Sequence, residues 1–207
     1  MKTIQDIQAI QLETLYRVMM LRMAKGYTAK QLNYLIGAPY HFVEDVESLL
    51  KPPYTGNQLD RITEALGESN PESFFPLKED ETVVKIAVYK EYERGKIAHT
   101  YYQVDENGNE EELFRLLEDE FPDEDEIPNF ENTLQLVKDL LEIMFRSGYF
   151  AETRTPCEIF HKINTLLTVP VSPYFIEAAM QGYTAEDNGE PLRLVMEEDG
   201  VFRYEEC

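Results

Sequence analysis

Residues 28–48 read TAKQLNYLIGAPYHFVEDVES, and this stretch decides the fold predicted for the first third of the chain. Thr28, with Gln31 three residues later, is typical of a capping box that opens a helix. Gly37 can take the positive φ at which a helix ends, and Pro39 suits the start of a second helix. Apolar residues then fall at helical spacing on one face of each helix: Leu32, Leu35 and Ile36 in the first, Phe42, Val43 and Val46 in the second. The stretch therefore predicts two short helices joined by a tight glycine turn, which is a helix-turn-helix.

Helical patterns on both sides extend this motif to a head of residues 1–67. The first runs from Gln5 to Ala24 and stops at Gly26, with these residues at helical spacing: Ile7, Ile10, Leu15, Val18, Met19 and Arg22. The segment after the motif contains Pro52 and Pro53, which remove backbone donors and exclude regular structure. Residues 57–66 form a further helix. We expect a head of four to five helices that contains no strand.

Several short motifs in the head carry a family resemblance. They are Lys25-Gly26-Tyr27-Thr28, Gln31-Leu32, Leu35-Ile36-Gly37, Val43, Val46-Glu47 and the run from Ile62 to Gly67. Together they resemble the helix-turn-helix of the lambda-repressor-like (Cro/C1, or XRE) transcription regulators. In that family the exposed start of the second helix lies in the major groove of DNA. The resemblance implies that a partner, protein or DNA, is bound by Tyr40, His41, Glu44 and Asp45. If the partner is DNA, Lys25, Lys30 and Lys51 are the candidates for contacts with its phosphates.

The pattern changes after residue 67. Residues 68–81 are typical of a linker, and residues 82–207 are predicted to form an acidic α+β domain. Its predicted elements are a β-hairpin at 83–104, helices at 110–120, 132–147, 156–167 and 172–181, and a short hairpin at 192–204. Three helices followed by a hairpin match the element order of a winged helix. The predicted fold class is therefore α+β and mainly helical, with a helix-turn-helix head and a body that ends in a winged-helix-like unit.

Two of these elements rest on clear local patterns. Residues 83–92 and 96–104 are rich in β-branched and aromatic residues and are separated by Glu93-Arg94-Gly95, which predicts an antiparallel hairpin. Residues 110–120 are predicted to be helical because four apolar residues share one helical face: Leu113, Phe114, Leu116 and Leu117.

The charge of the chain is strongly asymmetric. The formal net charge is −21, yet residues 1–67 hold seven Lys/Arg and seven Asp/Glu, while the remaining 140 residues hold twelve basic and 33 acidic residues. The densest segment, 105–126, has twelve acids and one base, Arg115. It is either a solvated surface or a docking surface for a basic protein. The docking candidates are Asp119, Glu120, Asp123, Glu124, Asp125 and Glu126.

Motifs of catalysis or cofactor binding are missing from the sequence. No nucleophile elbow, phosphate loop or dinucleotide fingerprint occurs, so we expect no enzyme and no cofactor. Cys157 and His161 are spaced i, i+4 and could supply two zinc ligands, but the sequence shows no second pair, so no metal site is predicted. Two cysteines, no signal peptide and no long apolar run predict a reduced cytoplasmic protein without a membrane partner.

Two functions follow from these patterns. The first is a non-catalytic binding protein, a regulatory or immunity-type inhibitor that engages a basic protein through acidic surfaces. It is favoured because Glu44 and Asp45 would repel a polyanion, while Tyr40 suits a protein interface. The alternative is an XRE-like transcriptional regulator that binds DNA through residues 28–48. Homodimerisation is left open by the sequence, and an enzyme with an unrecognised pocket is a third, less supported reading.

Overall fold

The chain divides into two compact units, each built from segments that are distant in sequence. The computed structural model describes residues 2–76, 80–184, 192–197 and 199–207. The first unit contains Met1–Lys30 and His41–Phe121, and the second contains Gln31–Tyr40 and Pro122–Cys207. This grouping differs from the division at residues 67 and 82 that the sequence suggested. Residues 77–79 of the predicted linker lie outside the described ranges.

The described residues form seven α-helices and six strands. The first unit holds β1 (Lys2–Gln8), α1 (Ala9–Ala24), α3 (Phe42–Glu47), α4 (Gly56–Leu66), β2 (Val83–Glu93), β3 (Lys96–Val104) and β4 (Glu110–Asp119). Helix α2 (Ala29–Leu35) begins in the first unit and continues into the second. The second unit also holds α5 (Phe130–Arg146), α6 (Pro156–Leu166), α7 (Pro173–Gln181), β5 (Leu192–Met196) and β6 (Phe202–Glu206). Short 3-10 turns occur at Pro71–Phe74, Glu124–Glu126 and Tyr149–Ala151.

The first unit is organised by an antiparallel sheet with strand order β1-β2-β3-β4. The predicted hairpin at 83–104 is confirmed as β2 and β3, which pair from Ile86 opposite Gln103 to Glu93 opposite Lys96. Its turn residues, Arg94 and Gly95, both have positive φ, 52° and 76°. Two positive φ values match the twist of a tight hairpin, which explains why this turn was readable from sequence.

The predicted fold class, with an all-helical head, is wrong because the chain begins with a strand. Residues Lys2–Gln8 pair antiparallel with β2, so that Thr3 lies opposite Val88 and Ile7 opposite Val84. Helix α1 starts only at Ala9. The isoleucines of this segment are spaced three apart, which fits a helix locally, but the hydrogen bonds of a strand come from residues some eighty positions away. A local pattern cannot report that partner.

The predicted helix at 110–120 is also wrong, because these residues form strand β4. The register between β3 and β4 shifts at Tyr101/Tyr102, where Phe114 pairs with Tyr101 but Glu112 pairs with Tyr102. Leu113 is therefore the extra residue of a β-bulge. The bulge displaces the alternation of a strand by one residue, which places apolar side chains at spacings that resemble a helix.

The helices of the second unit agree with the sequence. Helices α5, α6 and α7 coincide closely with the predictions at 132–147, 156–167 and 172–181. Thr155 and Glu158 form a reciprocal capping box at α6, and Ser172 accepts a hydrogen bond at the start of α7. The predicted hairpin at 192–204 is observed as β5 and β6, except that Glu198 lies outside the described residues. Local capping signals fixed these boundaries.

The glycine turn of the predicted helix-turn-helix packs against β6. Gly37 has φ +61°, and a Cβ placed on it would lie 2.7 Å from Cγ1 of Val201 and 2.8 Å from the carbonyl oxygen of Phe202. The Phe202 N–H donates to the Gly37 carbonyl at 2.8 Å. The apolar residues predicted to face inward before this turn are all buried: Leu32 and Leu35 in α2, and Ile36 directly after it. The turn is therefore packed closely within the second unit, next to its buried apolar side chains.

Candidate functional site

A buried ionic cluster lies at the centre of the first unit. Arg22 on α1 is completely buried and contacts two carboxylates. Its Nε and Nη2 donate to Glu47 of α3 at 2.9 Å each, and its Nη1 and Nη2 donate to Glu118 of β4 at 2.7 and 2.9 Å. Its Nη1 also donates to the carbonyl of Tyr27 at 2.6 Å. The guanidinium thus joins a helix, a second helix and a strand through charge-assisted hydrogen bonds.

Histidine completes the cluster and affects the ionisation of Glu118. His99 Nε2 lies 3.0 Å from Oε2 of Glu118, and both side chains are buried. Burial alone opposes ionisation of Glu118, but the hydrogen bonds from His99 and Arg22 outweigh it and lower the pKa of this carboxyl to about 2. Glu118 is therefore an anion at neutral pH. The cluster thus holds the Arg22 guanidinium between two carboxylates, with the His99 imidazole beside the second.

Two tyrosine hydroxyls lie beside this cluster and differ in their hydrogen bonding. The Tyr101 hydroxyl donates to the carbonyl of Glu47 and lies 3.2 Å from Sδ of Met19. The Tyr54 hydroxyl is buried without a hydrogen-bond partner among the described residues. Burial raises the pKa of both hydroxyls, and the nearby Glu47 carboxylate adds to the effect. Both remain neutral at physiological pH, so neither can act as a base there.

The cluster has a structural role, because its ion pairs connect α1 with α3 and β4. Arg22 pairs with both Glu47 and Glu118, and all three side chains are withdrawn from solvent. Removing one partner of such a buried ion pair is strongly destabilising, because it leaves an uncompensated buried charge. Part of this cluster has a signal in the sequence, since Arg22 falls on the inward face of α1 beside the buried Val18 and Met19. The partners of Arg22 could not be found from sequence, because the apolar pattern around Glu118 predicts a helix where the structure has strand β4.

The two tyrosines give a matched test of this description. We expect Tyr54→Phe to leave the free energy of unfolding unchanged or raise it by about 1 kcal/mol, because the change removes an unsatisfied buried hydroxyl. Tyr101→Phe should lower it by about 1 kcal/mol, because the carbonyl of Glu47 loses its donor. Urea denaturation followed by circular dichroism measures both. A loss of stability in Tyr54→Phe as large as that in Tyr101→Phe would contradict the assignment.

Of the predicted partner-binding residues, Tyr40 belongs to the second unit, while His41, Glu44 and Asp45 belong to the first unit at the start of α3. Tyr40 is 71 % exposed. His41 has φ +62° and pairs with the carboxylate of Glu44, while Asp45 pairs with Lys51 at 2.9 Å. Glu44 and Asp45 therefore have local cationic or titratable partners. Helix α3 has only six residues, and its Glu47 is turned into the buried cluster.

The three candidate phosphate contacts occupy different positions in the first unit. Lys25 lies 4.0 Å from the carboxylate of Glu68, and Lys51 pairs with Asp45 while its Nζ lies 5.5 Å from the centre of the Phe42 ring. Lys30 is exposed on α2. Two of these cations are thus directed to acidic groups of the protein.

The acidic docking candidates are exposed but are divided between the two units. Asp119 and Glu120 belong to the first unit, where Asp119 pairs with Lys96. Asp123, Glu124, Asp125 and Glu126 belong to the second, in and next to a 3-10 turn. The second group borders a cavity of about 450 Å³, lined by Glu124, Asp125, Ile127, Asn129, Phe130, Glu131 and Asn132. Tyr174 donates to Glu124 at 2.5 Å and holds this turn against α7.

The cysteine and histidine of α6 are neighbours, as their spacing predicted. Sγ of Cys157 lies 3.9 Å from Nδ1 of His161, and Cys157 is buried. A closed structural zinc site takes four ligands, and this pair would supply two of them.

Comparison with protein-family models, with curated proteins and with solved structures finds no match to this chain. Among the helices formed by the described residues, none combines the length and the apolar content that crossing a membrane requires.

Proposed function

We propose that the protein is a non-catalytic binding protein that engages a basic protein partner through acidic surfaces. The observation that carries the proposal is an exposed acidic run in the middle of the chain. Residues 116–137 contain eight acidic residues and no Lys or Arg, and all of these acids except the buried Glu118 are exposed. Asp123, Glu124, Asp125 and Glu126 within it are all exposed. Such a field attracts basic proteins and accelerates their association.

The charge of both units supports this proposal. The first unit holds 22 acidic and thirteen basic residues, and the second holds eighteen acidic and six basic residues. An excess of acidic residues in each unit disfavours binding to nucleic acid. The alternative, a DNA-binding regulator, would have to use the short α3, whose first turn carries Glu44 and Asp45. We place the action of the protein in the cytoplasm, where the two free cysteines would remain reduced.

Neutralising the acidic turn should slow association with the partner. We expect the change of Asp123, Glu124, Asp125 and Glu126 to their amides to lower the association rate constant about tenfold at low ionic strength, with a smaller effect on dissociation. The difference should shrink as salt shortens the Debye length to about 8 Å. Stopped-flow mixing with the basic protein recovered by pull-down measures both rates.

A matched control separates local steering from net charge. The same number of exposed acids is neutralised elsewhere, at Asp60, Glu72, Glu81 and Glu106. This variant has the same net charge and should associate nearly as fast as the unmodified protein. Equal association rates for all three proteins at low salt would reduce the acidic turn to a solvated surface.

A further inference from the structure

Strand β4 forms an open edge of the four-stranded sheet. It pairs with β3 on one side, and among the described residues no backbone group pairs with its other side. Seven of its ten residues are exposed. Open strand edges are binding sites for an additional strand, because their outward N–H and C=O groups are already aligned.

The ladder with β3 shows which backbone groups point outward. The N–H of Glu120 donates to the carbonyl of Gly95 at 3.3 Å. Glu120 and Gly95 are therefore a hydrogen-bonded pair, in which the backbone groups of Glu120 point toward β3. Along an antiparallel strand, the backbone N–H and C=O groups of successive residues point alternately toward and away from the neighbouring strand. The register with β3 is continuous from Asp119 back to Phe114. Arg115, Leu117 and Asp119 therefore direct their N–H and C=O groups away from β3. Phe114, Leu116 and Glu118 direct theirs toward it.

The bulge limits the length of this edge. Leu113 interrupts the register, and bulges commonly prevent further strand pairing. Residues 114–119 remain as a regular stretch that a short strand can follow. Leu117 is 50 % exposed on this stretch and offers an apolar contact to an incoming side chain.

Charge determines what kind of strand can bind. Glu111, Glu112, Asp119 and Glu120 lie along or beside the edge and are exposed. One base, Arg115, also lies on this edge, but it pairs with Glu93 at 2.7 Å, so a further acidic strand would add unfavourable like charges. A strand with lysine or arginine would instead gain attraction. The opposite edge, β1, carries only Lys2 and Asp6 and has no such bias.

We infer that the edge of β4 at residues 114–119 binds an extended, lysine- or arginine-rich segment of a partner protein as a fifth strand. The inference rests on the proposed function for the basic character of the partner. It adds the binding mode. Backbone hydrogen bonds to Arg115, Leu117 and Asp119 set the register of the incoming strand, and the flanking carboxylates favour a positively charged one.

A peptide experiment tests this binding mode. The probe is a short, capped peptide of alternating lysine and valine, added to the whole 207-residue chain. Hydrogen exchange should slow at the outward amides of Arg115, Leu117 and Asp119 on binding. It should change little at Phe114, Leu116 and Glu118, whose amides are already bonded to β3. A peptide with glutamate in place of lysine, or with methylated backbone nitrogens, should not produce this alternation.

A proline variant tests the same mode by mutation. Leu117→Pro removes one outward N–H and leaves the ladder to β3 intact, which edge strands tolerate. We expect it to weaken peptide binding about tenfold or more, whereas Leu117→Thr, which keeps the donor, should bind nearly normally. Circular dichroism checks that both variants fold. If Leu117→Pro does not fold, the hydrogen-exchange pattern of the unmodified protein tests the binding mode instead.

The outcomes separate this inference from the proposed function. If the lysine peptide binds but protects residues 123–126 and leaves the amides of β4 unchanged, the fifth-strand mode is wrong and binding through the acidic turn stands. The same conclusion follows if the methylated peptide binds as tightly as the unmodified one. If a basic protein partner binds the acidic-turn variant and the unmodified protein equally while the β4 amides become protected, the acidic turn is excluded and the edge remains.

Discussion

Replacing Arg22 by methionine is expected to lower the free energy of unfolding by about 3–5 kcal/mol. The change leaves the carboxylates of Glu47 and Glu118 buried, side by side and without their shared cation. Neither carboxylate can move to solvent without displacing α3 or β4. Urea denaturation followed by circular dichroism measures the loss, which would take a large share of the stability of an ordinary domain.

Arg17 on the same helix provides the control. Its side chain is 34 % exposed and pairs with the exposed Glu13 at 3.0 Å, so Arg17→Met should cost less than about 1 kcal/mol. Adding Glu47→Gln and Glu118→Gln to Arg22→Met should recover part of the lost stability, because the unpaired charges are removed. A cost for Arg22→Met no larger than that for Arg17→Met would mean that the cluster does not anchor the unit.

The second large effect is expected for Gly37→Ala. The positive φ of Gly37 costs an alanine about 1–2 kcal/mol, and the new methyl group would meet Val201 and the backbone of Phe202 at less than 3 Å. Relieving such overpacking adds about 1–3 kcal/mol. The opposing atoms include a backbone carbonyl, which cannot rotate away as a side chain can. Thermal and urea denaturation measure the total.

Gly67→Ala isolates the steric part of this effect. Gly67 has φ +64°, nearly the value of Gly37, but a Cβ placed on it meets nothing within 4 Å. Only the backbone penalty should therefore appear in this variant. Equal losses in the two variants would show that the turn at Gly37 has room against β6.

The elements that could be predicted from sequence are those with local signals. The proline and capping box at Thr155-Pro156 marked α6, and the positive-φ pair Arg94-Gly95 marked the hairpin of β2 and β3. Strands β1 and β4 could not be found, because what makes each a strand is its pairing with a distant partner. In β4 the bulge at Leu113 also broke the alternation by which a strand is recognised.

The candidate site was predictable only in part. Arg22 could be placed on the inward face of its helix, where a buried arginine requires an acidic partner. Choosing Glu47 and Glu118 among 40 acidic residues needs the three-dimensional fold. The acidic turn at residues 123–126 was visible as composition. The open edge of β4 was invisible, since an edge exists only once the strand order is known.

The interleaving of the two units has a consequence for synthesis on the ribosome. Residues 31–40 emerge early, between two segments of the first unit, but their own unit is completed only after residue 122 and beyond has been translated. Until then the apolar side chains of Leu32, Leu35 and Ile36 lack the neighbours that bury them in the finished protein. The apolar side chains of residues 31–40 are therefore exposed for much of translation. Cutting the gene after residue 121 would leave these residues without the rest of their unit.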